Sequence, residues 1–383
     1  MSTASGPDAP AGQGNVCGAL IGCGYISPRH IRAWASATNA QLVAVCDTDV
    51  DKAAKAAESA GVRHVFTSVD DMLSTLGDDL DFVDVCVPPE YHLEVVEKAG
   101  ARGVHVLCQK PLATTTADSL RIAEIVAATG IVFAINEMWK WIPAYEHVWK
   151  MLRNDVLGDI EFVKFTGHSN LLLPRRAEDR FDAVPDRPSA ANRDALMPRF
   201  SQMERLIVLE YGVHVLDMLR EWFGEPAGLR ASLGRSNPAL IGDDSAFIEL
   251  KYDFDAEVLL DWSVPGPETP DNIDGESLII RASNGLLTVY AGKWVEWHPA
   301  DGQVERFSFP ADTRDSAFAR SHQDFADAVI GRTEPASSVT GNLATQGLVM
   351  SSYASGGTGD WIENPAAALF RADAAVVGRP SPA

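Results

Sequence analysis

Two ionisable side chains in this sequence have neighbours that suit proton transfer. Lys110 directly precedes Pro111 after a short apolar run, and the proline restricts the backbone of the lysine, so the direction of the ammonium is fixed. A partly desolvated lysine can donate to a substrate oxygen, as hydride chemistry requires. The alternative is an exposed lysine beside a turn proline.

The second candidate lies in an apolar segment over residues 206–223, which predicts a buried helix because nearly all its sides are apolar. Glu210, His214 and Asp217 interrupt it at i, i+4 and i+7, so a regular helix places them on one face. A carboxylate one turn from an imidazole can orient it and stabilise its charged form, which suits removal of a hydroxyl proton. The alternative is a structural pair that satisfies buried charges in a core helix.

A strand, a glycine turn and a helix are predicted near the N-terminus. The apolar run Val16–Ile21 leads into Gly22 and Gly24, and a helix-compatible segment follows. Gly22 permits a tight turn, and Gly24 lets the backbone approach a pyrophosphate at the N-terminus of the helix. Ser27 takes the place of the third glycine in the usual G-x-G-x-x-G pattern. The glycine pair alone is a weak signal of a dinucleotide site.

Asp47 strengthens that interpretation. It ends the second predicted strand, 23 residues after Gly24. A carboxylate there can accept hydrogen bonds from both ribose hydroxyls of an adenosine, and it repels a 2′-phosphate. Because Thr48 and Asp49 follow instead of an arginine, we expect NAD as the cofactor, with NADP less favoured. The alternative is an aspartate that only caps the next helix.

Alternating strand and helix patterns in the first third of the chain predict a doubly wound parallel sheet of the Rossmann type. Its strands are predicted at Val16–Ile21, Gln41–Cys46, His64–Phe66, Phe82–Val87, Val104–Leu107 and Ile131–Ile135. Later strand-like runs with few helices between them predict an α+β domain with an open, mostly antiparallel sheet. They lie at Gly228–Gly234, Ala246–Lys251, Glu257–Ser263, Ser277–Ala282, Leu286–Tyr290 and Gln303–Phe307.

The expected domain organisation has four parts. Residues 1–15 form a disordered leader, 16–136 the dinucleotide-binding domain, 137–340 a substrate and oligomerisation domain, and 341–383 a helix that returns to the first domain, followed by a tail. The leader lacks the basic start and apolar middle of a signal peptide, and no apolar run is long enough to span a membrane, so we expect a cytoplasmic protein.

Charge and cysteine content exclude several classes of protein. A net charge of −21 disfavours binding to nucleic acid and to anionic membranes. The five cysteines are odd in number and no pair has the spacing of zinc ligands. We therefore expect buried, reduced thiols and no metal site.

Together these segments resemble the Gfo/Idh/MocA family, named for glucose–fructose oxidoreductase, inositol 2-dehydrogenase and rhizopine catabolism. The resemblance covers about residues 15–356, and its motifs are the Gly22–Ser27 turn, Asp47, Pro88–His92, Lys110–Pro111 and the Glu210, His214 and Asp217 helix. It implies that Lys110 contacts both nicotinamide and substrate hydroxyl, that His214 is the general base, and that Glu210 orients His214 or shares its proton. It also implies cofactor contacts from Gly22, Gly24, Tyr25, Ile26, Asp47, Val87, Pro88, His92, Gln109 and Lys110.

The sequence departs from the family pattern in two places. Gln109 stands where members usually carry glutamate, which removes a negative charge next to Lys110. Trp139, Lys140 and Trp141 stand where members often carry asparagine and arginine, which predicts a different substrate wall. The two tryptophans either stack on the C–H faces of a sugar or belong to the core.

An arginine-rich segment over residues 171–205 is specific to this chain. Acidic residues are interspersed, so a solvated, salt-bridged loop is one interpretation. The other is a segment that reaches over the site, in which Arg175 and Arg176 select a large or anionic substrate.

We expect an NAD-dependent dehydrogenase that acts on a secondary hydroxyl of a sugar, sugar derivative or cyclitol. One alternative is a redox-neutral enzyme that cleaves a glycoside, or epimerises its substrate, by transient oxidation; others are a catalytically silent NAD-binding protein and, less favoured, a methyltransferase. The expected partners are a carbohydrate-like small molecule and further copies of the chain. A homodimer or homotetramer through the second sheet would cover its open apolar face.

Overall fold

The computed structural model describes residues 15–167, 198–262, 276–290, 292–310 and 313–367. The predicted leader before residue 15 lies outside the described residues, as do Arg175 and Arg176. The arginine-rich segment is described only from residue 198 onward.

A six-stranded parallel sheet with order β3-β2-β1-β4-β5-β6 forms the N-terminal part of the molecule. This confirms the predicted Rossmann architecture. Its strands are β1 Val16–Ile21, β2 Ala40–Cys46, β3 His64–Phe66, β4 Phe82–Val85, β5 His105–Cys108 and β6 Phe133–Ile135. Its helices are α1 Ser27–Ser36, α2 Val50–Ala60, α3 Val69–Leu76, α4 His92–Gly100 and α5 Thr116–Thr129.

Local sequence explains where these helices begin and end. The side chains of Asp49, Ser68 and Thr115 accept hydrogen bonds from the first turns of α2, α3 and α5. Gly61 and Gly130 end α2 and α5 in the left-handed conformation. The connections therefore bring the carboxyl ends of the parallel strands to one edge of the sheet, where such sheets bind ligands.

The second sheet has nine strands in the order β14-β13-β12-β11-β7-β10-β9-β8-β15. The β7–β10 pair is parallel, and the other pairs are antiparallel. Its strands are β7 Ile160–Gly167, β8 Gly228–Gly234, β9 Ser245–Lys251, β10 Glu257–Trp262, β11 Ser277–Ala282, β12 Gly285–Tyr290, β13 Trp294–Pro299, β14 Glu305–Ser308 and β15 Ile362–Glu363. The open, mostly antiparallel sheet is confirmed, while β13 was not predicted.

Helices cover one face of the second sheet and connect it to the first. They are α6 Pro143–Arg153, a π-helix Val208–Gly212 that continues into α7 Val213–Phe223, α8 Thr313–Gly331 and α9 Val339–Thr358. The single predicted helix over 206–223 is thus divided. Helix α8 packs on α1, where Asp315 forms ion pairs with Arg29 and Arg32. Among the described residues, no helix is both long and apolar enough to cross a bilayer.

Candidate active site

The glycine turn after β1 has the shape of a pyrophosphate cradle. Gly22 has a φ of +92°, and a Cβ there would lie 2.7 Å from the backbone of both Cys86 and Val87. Only glycine fits this position, because a side chain would be strained and would collide with the neighbouring loop. A Cβ at Gly24 would meet nothing within 4 Å. The backbone at Gly24 is therefore open to a ligand in front of α1, as NAD binding requires.

Asp47 is fixed against that turn. Its carboxylate accepts hydrogen bonds from the backbone amides of Cys23 at 2.7 Å and Asp49 at 2.8 Å. The cap of α2 is Asp49, which accepts from Asp51 and Lys52. Asp47 is therefore not the residue that caps α2, and its position beside the turn fits the ribose of an adenosine.

His92 ties together the two loops that follow β4 and β5. It is fully buried, with Nε2 at 3.1 Å from the Val87 carbonyl oxygen and Nδ1 at 3.2 Å from the Leu112 carbonyl oxygen. Burial lowers the pKa of His92. The histidine thus supports the edge of the predicted cofactor site through backbone groups.

Gln109 points away from the Lys110 ammonium. Its Oε1 accepts a hydrogen bond from the Lys110 backbone amide at 2.9 Å, and its Nε2 lies 2.7 Å from Nε2 of the buried His30. The negative charge that a glutamate would carry at position 109 would therefore lie beside His30 and not beside the Lys110 ammonium. That ammonium pairs with a carboxylate from another element.

That carboxylate is Glu210, in the π-helix. Lys110 Nζ donates to the Glu210 backbone oxygen at 2.7 Å and to its Oε2 at 3.0 Å, and Arg199 Nη1 lies 3.0 Å from Oε1. Burial acts to raise the pKa of Glu210, but the two cations outweigh it and hold the pKa below its usual value. Glu210 is thus an anion that anchors the tip of Lys110.

His214 has a different carboxylate partner from the one expected. Its Nδ1 lies 2.6 Å from Glu137 Oε2, and its ring is stacked on Trp139 at 5.2 Å with an angle of 4° between the planes. Glu210 was expected to orient His214, but the π-helix breaks the regular i, i+4 spacing between them, and Glu210 turns toward Lys110 and Arg199 instead.

Comparison with known proteins agrees with this geometry. Residues 17–137 match the GFO_IDH_MocA model, described as an oxidoreductase family with an NAD-binding Rossmann fold. D-apiose dehydrogenase of Paraburkholderia graminis is 28% identical over 355 residues, which cover 90% of this chain and 89% of that protein. The chain is therefore similar to Gfo/Idh/MocA oxidoreductases, and the family model matches its N-terminal domain.

Two further proteins are similar to this oxidoreductase. An NADP(+)-dependent scyllo-inositol 2-dehydrogenase of Bacillus subtilis is 24% identical over 76% of this chain and 82% of its own length. An oxidoreductase from Agrobacterium radiobacter, solved in complex with NAD+, L-tartaric acid and magnesium, has a TM-score of 0.80 at 24% identity, covering 92% of this chain and 99% of that chain. This solved structure shows that the fold is shared along the chain.

The structure gives different partners to Trp139, Lys140 and Trp141, the residues predicted to form a substrate wall in this oxidoreductase. The buried Lys140 ammonium pairs with Asp217 at 3.1 Å and Glu221 at 3.5 Å. Burial acts to lower the pKa of Lys140, but these two carboxylates outweigh it and raise the pKa. Trp141 lies under the Arg320 guanidinium at 5.0 Å. Of the three residues, the structure places Trp139 against His214 and gives Lys140 and Trp141 ionic and cation–π partners within the fold.

A fully buried cluster of His30, Asp84 and His322 lies behind Gln109. The three offer ligand atoms within 4.8 Å of one another, as metal ligands do. The hydrogen bonds favour a different interpretation. The Lys110 amide orients Gln109 so that its NH₂ faces His30 Nε2, so the imidazole proton is on Nδ1, directed at Asp84 at 2.8 Å. His30 and Asp84 are thus a hydrogen-bonded pair in this structure.

Asp84 is the anion of this cluster. Trp34 Nε1 donates to it at 2.6 Å, and His322 Nε2 lies 3.4 Å away. Burial acts to raise the pKa of Asp84, but the two histidines outweigh it and hold the pKa well below the usual value. The cluster therefore connects α1, β4 and α8 beneath the loop that carries Lys110.

Two residues of the site were missed at the sequence level. Glu137 was visible only as an acidic residue directly after β6, at the edge where strand ends meet. Arg199 was one of several arginines in a segment without periodicity. Only the fold brings them to His214 and Glu210.

Proposed function

We propose that the oxidoreductase transfers a hydride between NAD and a secondary hydroxyl of a sugar, sugar derivative or cyclitol. The observation that carries the proposal is that an ammonium and an imidazole, on different elements, are each held by their own carboxylate: Lys110 by Glu210 and His214 by Glu137. Such a pair can bind a hydroxyl oxygen and take its proton. The relative named D-apiose dehydrogenase makes D-apiose the first substrate to test.

The roles of the residues follow from their bonding groups. The turn at Gly22 and Gly24, together with Asp47, would hold NAD, which would supply the hydride acceptor for the carbon that carries the hydroxyl. The Lys110 ammonium donates to the hydroxyl oxygen and so fixes its position. His214 Nε2 takes the hydroxyl proton, and the negative charge of Glu137 stabilises the imidazolium that results. The reverse direction uses the same groups, with His214 returning the proton.

NAD is favoured over NADP by Asp47. Its carboxylate is held in place by the Cys23 and Asp49 amides, so it cannot turn away from a 2′-phosphate without losing both hydrogen bonds. We expect at least a tenfold preference for NAD, which corresponds to about 1.4 kcal/mol.

The test is NADH absorbance with D-apiose, inositols and simple glycosides, with products separated by chromatography and NADP assayed in parallel. NADH formation with one compound class supports the proposal and identifies the substrate. Product without net NADH favours the redox-neutral alternative. His214→Ala should lower kcat on the order of 10²–10⁴-fold. Near-normal turnover in this variant would refute the proposed proton transfer.

We further propose that copies of the chain associate through the outer face of the second sheet. Five apolar side chains are partly exposed there on adjacent strands: Phe162, Phe247, Leu259, Ile279 and Leu286. A protein surface with such a patch is stabilised when another subunit covers it.

We also propose that the enzyme works in the cytoplasm. All five cysteines are unpaired in the structure, as expected in a reducing compartment.

A further inference from the structure

The Glu137 carboxylate is buried with a single hydrogen-bond partner. It follows β6, its side chain is 1% exposed, and Oε2 lies 2.6 Å from His214 Nδ1. Among the described residues, Oε1 has no hydrogen-bond partner. Burying an ionised carboxylate is unfavourable without a partner, so the bond to His214 is the main polar contact that retains Glu137 in this position.

The chemistry of this contact decides which nitrogen of His214 carries the proton. An ionised carboxylate only accepts hydrogen bonds, so Nδ1 of the neutral imidazole must be the N–H that donates to it. The other nitrogen, Nε2, then has a free lone pair. The parallel stacking on Trp139 fixes the plane of the ring and therefore the direction of that lone pair.

Glu210 does not compete for this role. Its Oε2 accepts a hydrogen bond from Lys110, and its Oε1 forms an ion pair with Arg199 at 3.0 Å, although without hydrogen-bond geometry. The two buried carboxylates of the site thus have separate partners: Glu210 neutralises cations, and Glu137 contacts the imidazole.

We propose that Glu137 is the positioning residue of His214, holding it as the Nδ1–H tautomer so that Nε2 receives the substrate proton. The proposal rests on the proposed function, in which His214 is the base. In the step itself the hydroxyl proton moves to Nε2, Nδ1 keeps its proton, and Glu137 remains an anion that stabilises the imidazolium.

The first experiment is ¹⁵N NMR of histidine-labelled protein at a pH where the imidazoles are neutral. The His214 signals are identified by their loss in His214→Ala. The wild type should show a protonated Nδ1 and an unprotonated Nε2. In Glu137→Gln the amide can donate to Nδ1, which shifts His214 toward the Nε2–H tautomer. The matched control is Glu146→Gln, which removes a charge on α6 that pairs with Arg320. This variant should leave the His214 signals unchanged.

The second experiment compares kcat and KM on the substrate found in the NADH assay. Glu137→Gln should lower kcat on the order of 10²–10⁴-fold, with KM changed by less than about threefold because the side chain does not touch substrate. Glu137→Asp keeps the charge and should recover part of kcat. Glu146→Gln should retain wild-type kcat.

The outcomes separate this proposal from the proposed function. A wild-type His214 protonated on Nε2 overturns the positioning role, and this test stands even if the variants fold poorly. An unchanged tautomer and unchanged kcat in Glu137→Gln overturn it as well. A changed tautomer with normal kcat overturns the role of His214 as base, while its pairing with Glu137 stands.

Discussion

At the scale of single residues, the site depends on two carboxylates that are not interchangeable. Glu210 lies four positions before His214, yet its oxygens bind Lys110 and Arg199, while Glu137 comes from a distant part of the chain. The sequence predicted a contact between Glu210 and His214, whereas the structure pairs Glu210 with Lys110, because an i, i+4 argument assumes a regular α-helix. The π-helix removes that regularity.

Glu210→Gln tests the separate roles of the two carboxylates. We expect kcat to fall by roughly 10–100-fold, because Lys110 and Arg199 lose their anion and the ammonium loses its fixed position. The ¹⁵N signals of His214 should still report the Nδ1–H tautomer, since Glu137 is unchanged. If His214 instead changed tautomer in Glu210→Gln, the separation of roles would be contradicted.

At the scale of elements, the sequence predicted the first sheet closely and the second less completely. Apolar runs next to turn glycines determine β1 and β3 locally, and the predicted bounds of these two strands agree with the structure. Strand β13, by contrast, has buried Val295 and Trp297 alternating with partly exposed Trp294 and Glu296. Tryptophans on both faces obscure the usual apolar–polar alternation.

The cluster that joins α1, β4 and α8 was also beyond sequence reasoning, since its members are far apart in the chain. One of its members, His322, makes the stability of the folded protein increase with pH. Burial lowers the pKa of His322 from the ordinary 6.5, so this imidazole loses its proton more readily in the folded protein than in the unfolded chain. The unfolded chain binds a proton below pH ~6.5, and folded stability is therefore present above that pH and lost as the pH falls below it.

His322→Gln tests this dependence. The variant removes the titrating group, so its melting temperature should fall less than that of the wild type between pH 7.5 and 5.5. We expect a difference of roughly 1–2 °C, because about 1 kcal/mol shifts the melting temperature less in a chain of 383 residues than in a smaller domain. His298→Gln changes an exposed histidine on β13 and is the matched control. Equal losses in wild type and His322→Gln would contradict the assignment.

At the scale of the whole molecule, the second sheet separates two environments. One face packs against α6, α7 and α9, while the other carries the exposed apolar side chains together with ion pairs such as Lys164–Asp261. Ile279 on β11 lies opposite Lys164 on β7 and Thr288 on β12, near the middle of this outer face. A second copy placed there would bury Ile279 away from water, which favours association.

Ile279→Arg therefore tests the oligomer. A charge at the centre of the interface would lack a partner in the second subunit, and its desolvation should convert the assembly to monomers. Sedimentation velocity should give a dimer or tetramer for the wild type and about 41.3 kDa for the variant. Val50→Arg, which changes an exposed residue at the start of α2 in the first domain, should retain the wild-type mass. A wild-type monomer, or an Ile279→Arg assembly of unchanged mass, would show that this face is not the contact between subunits.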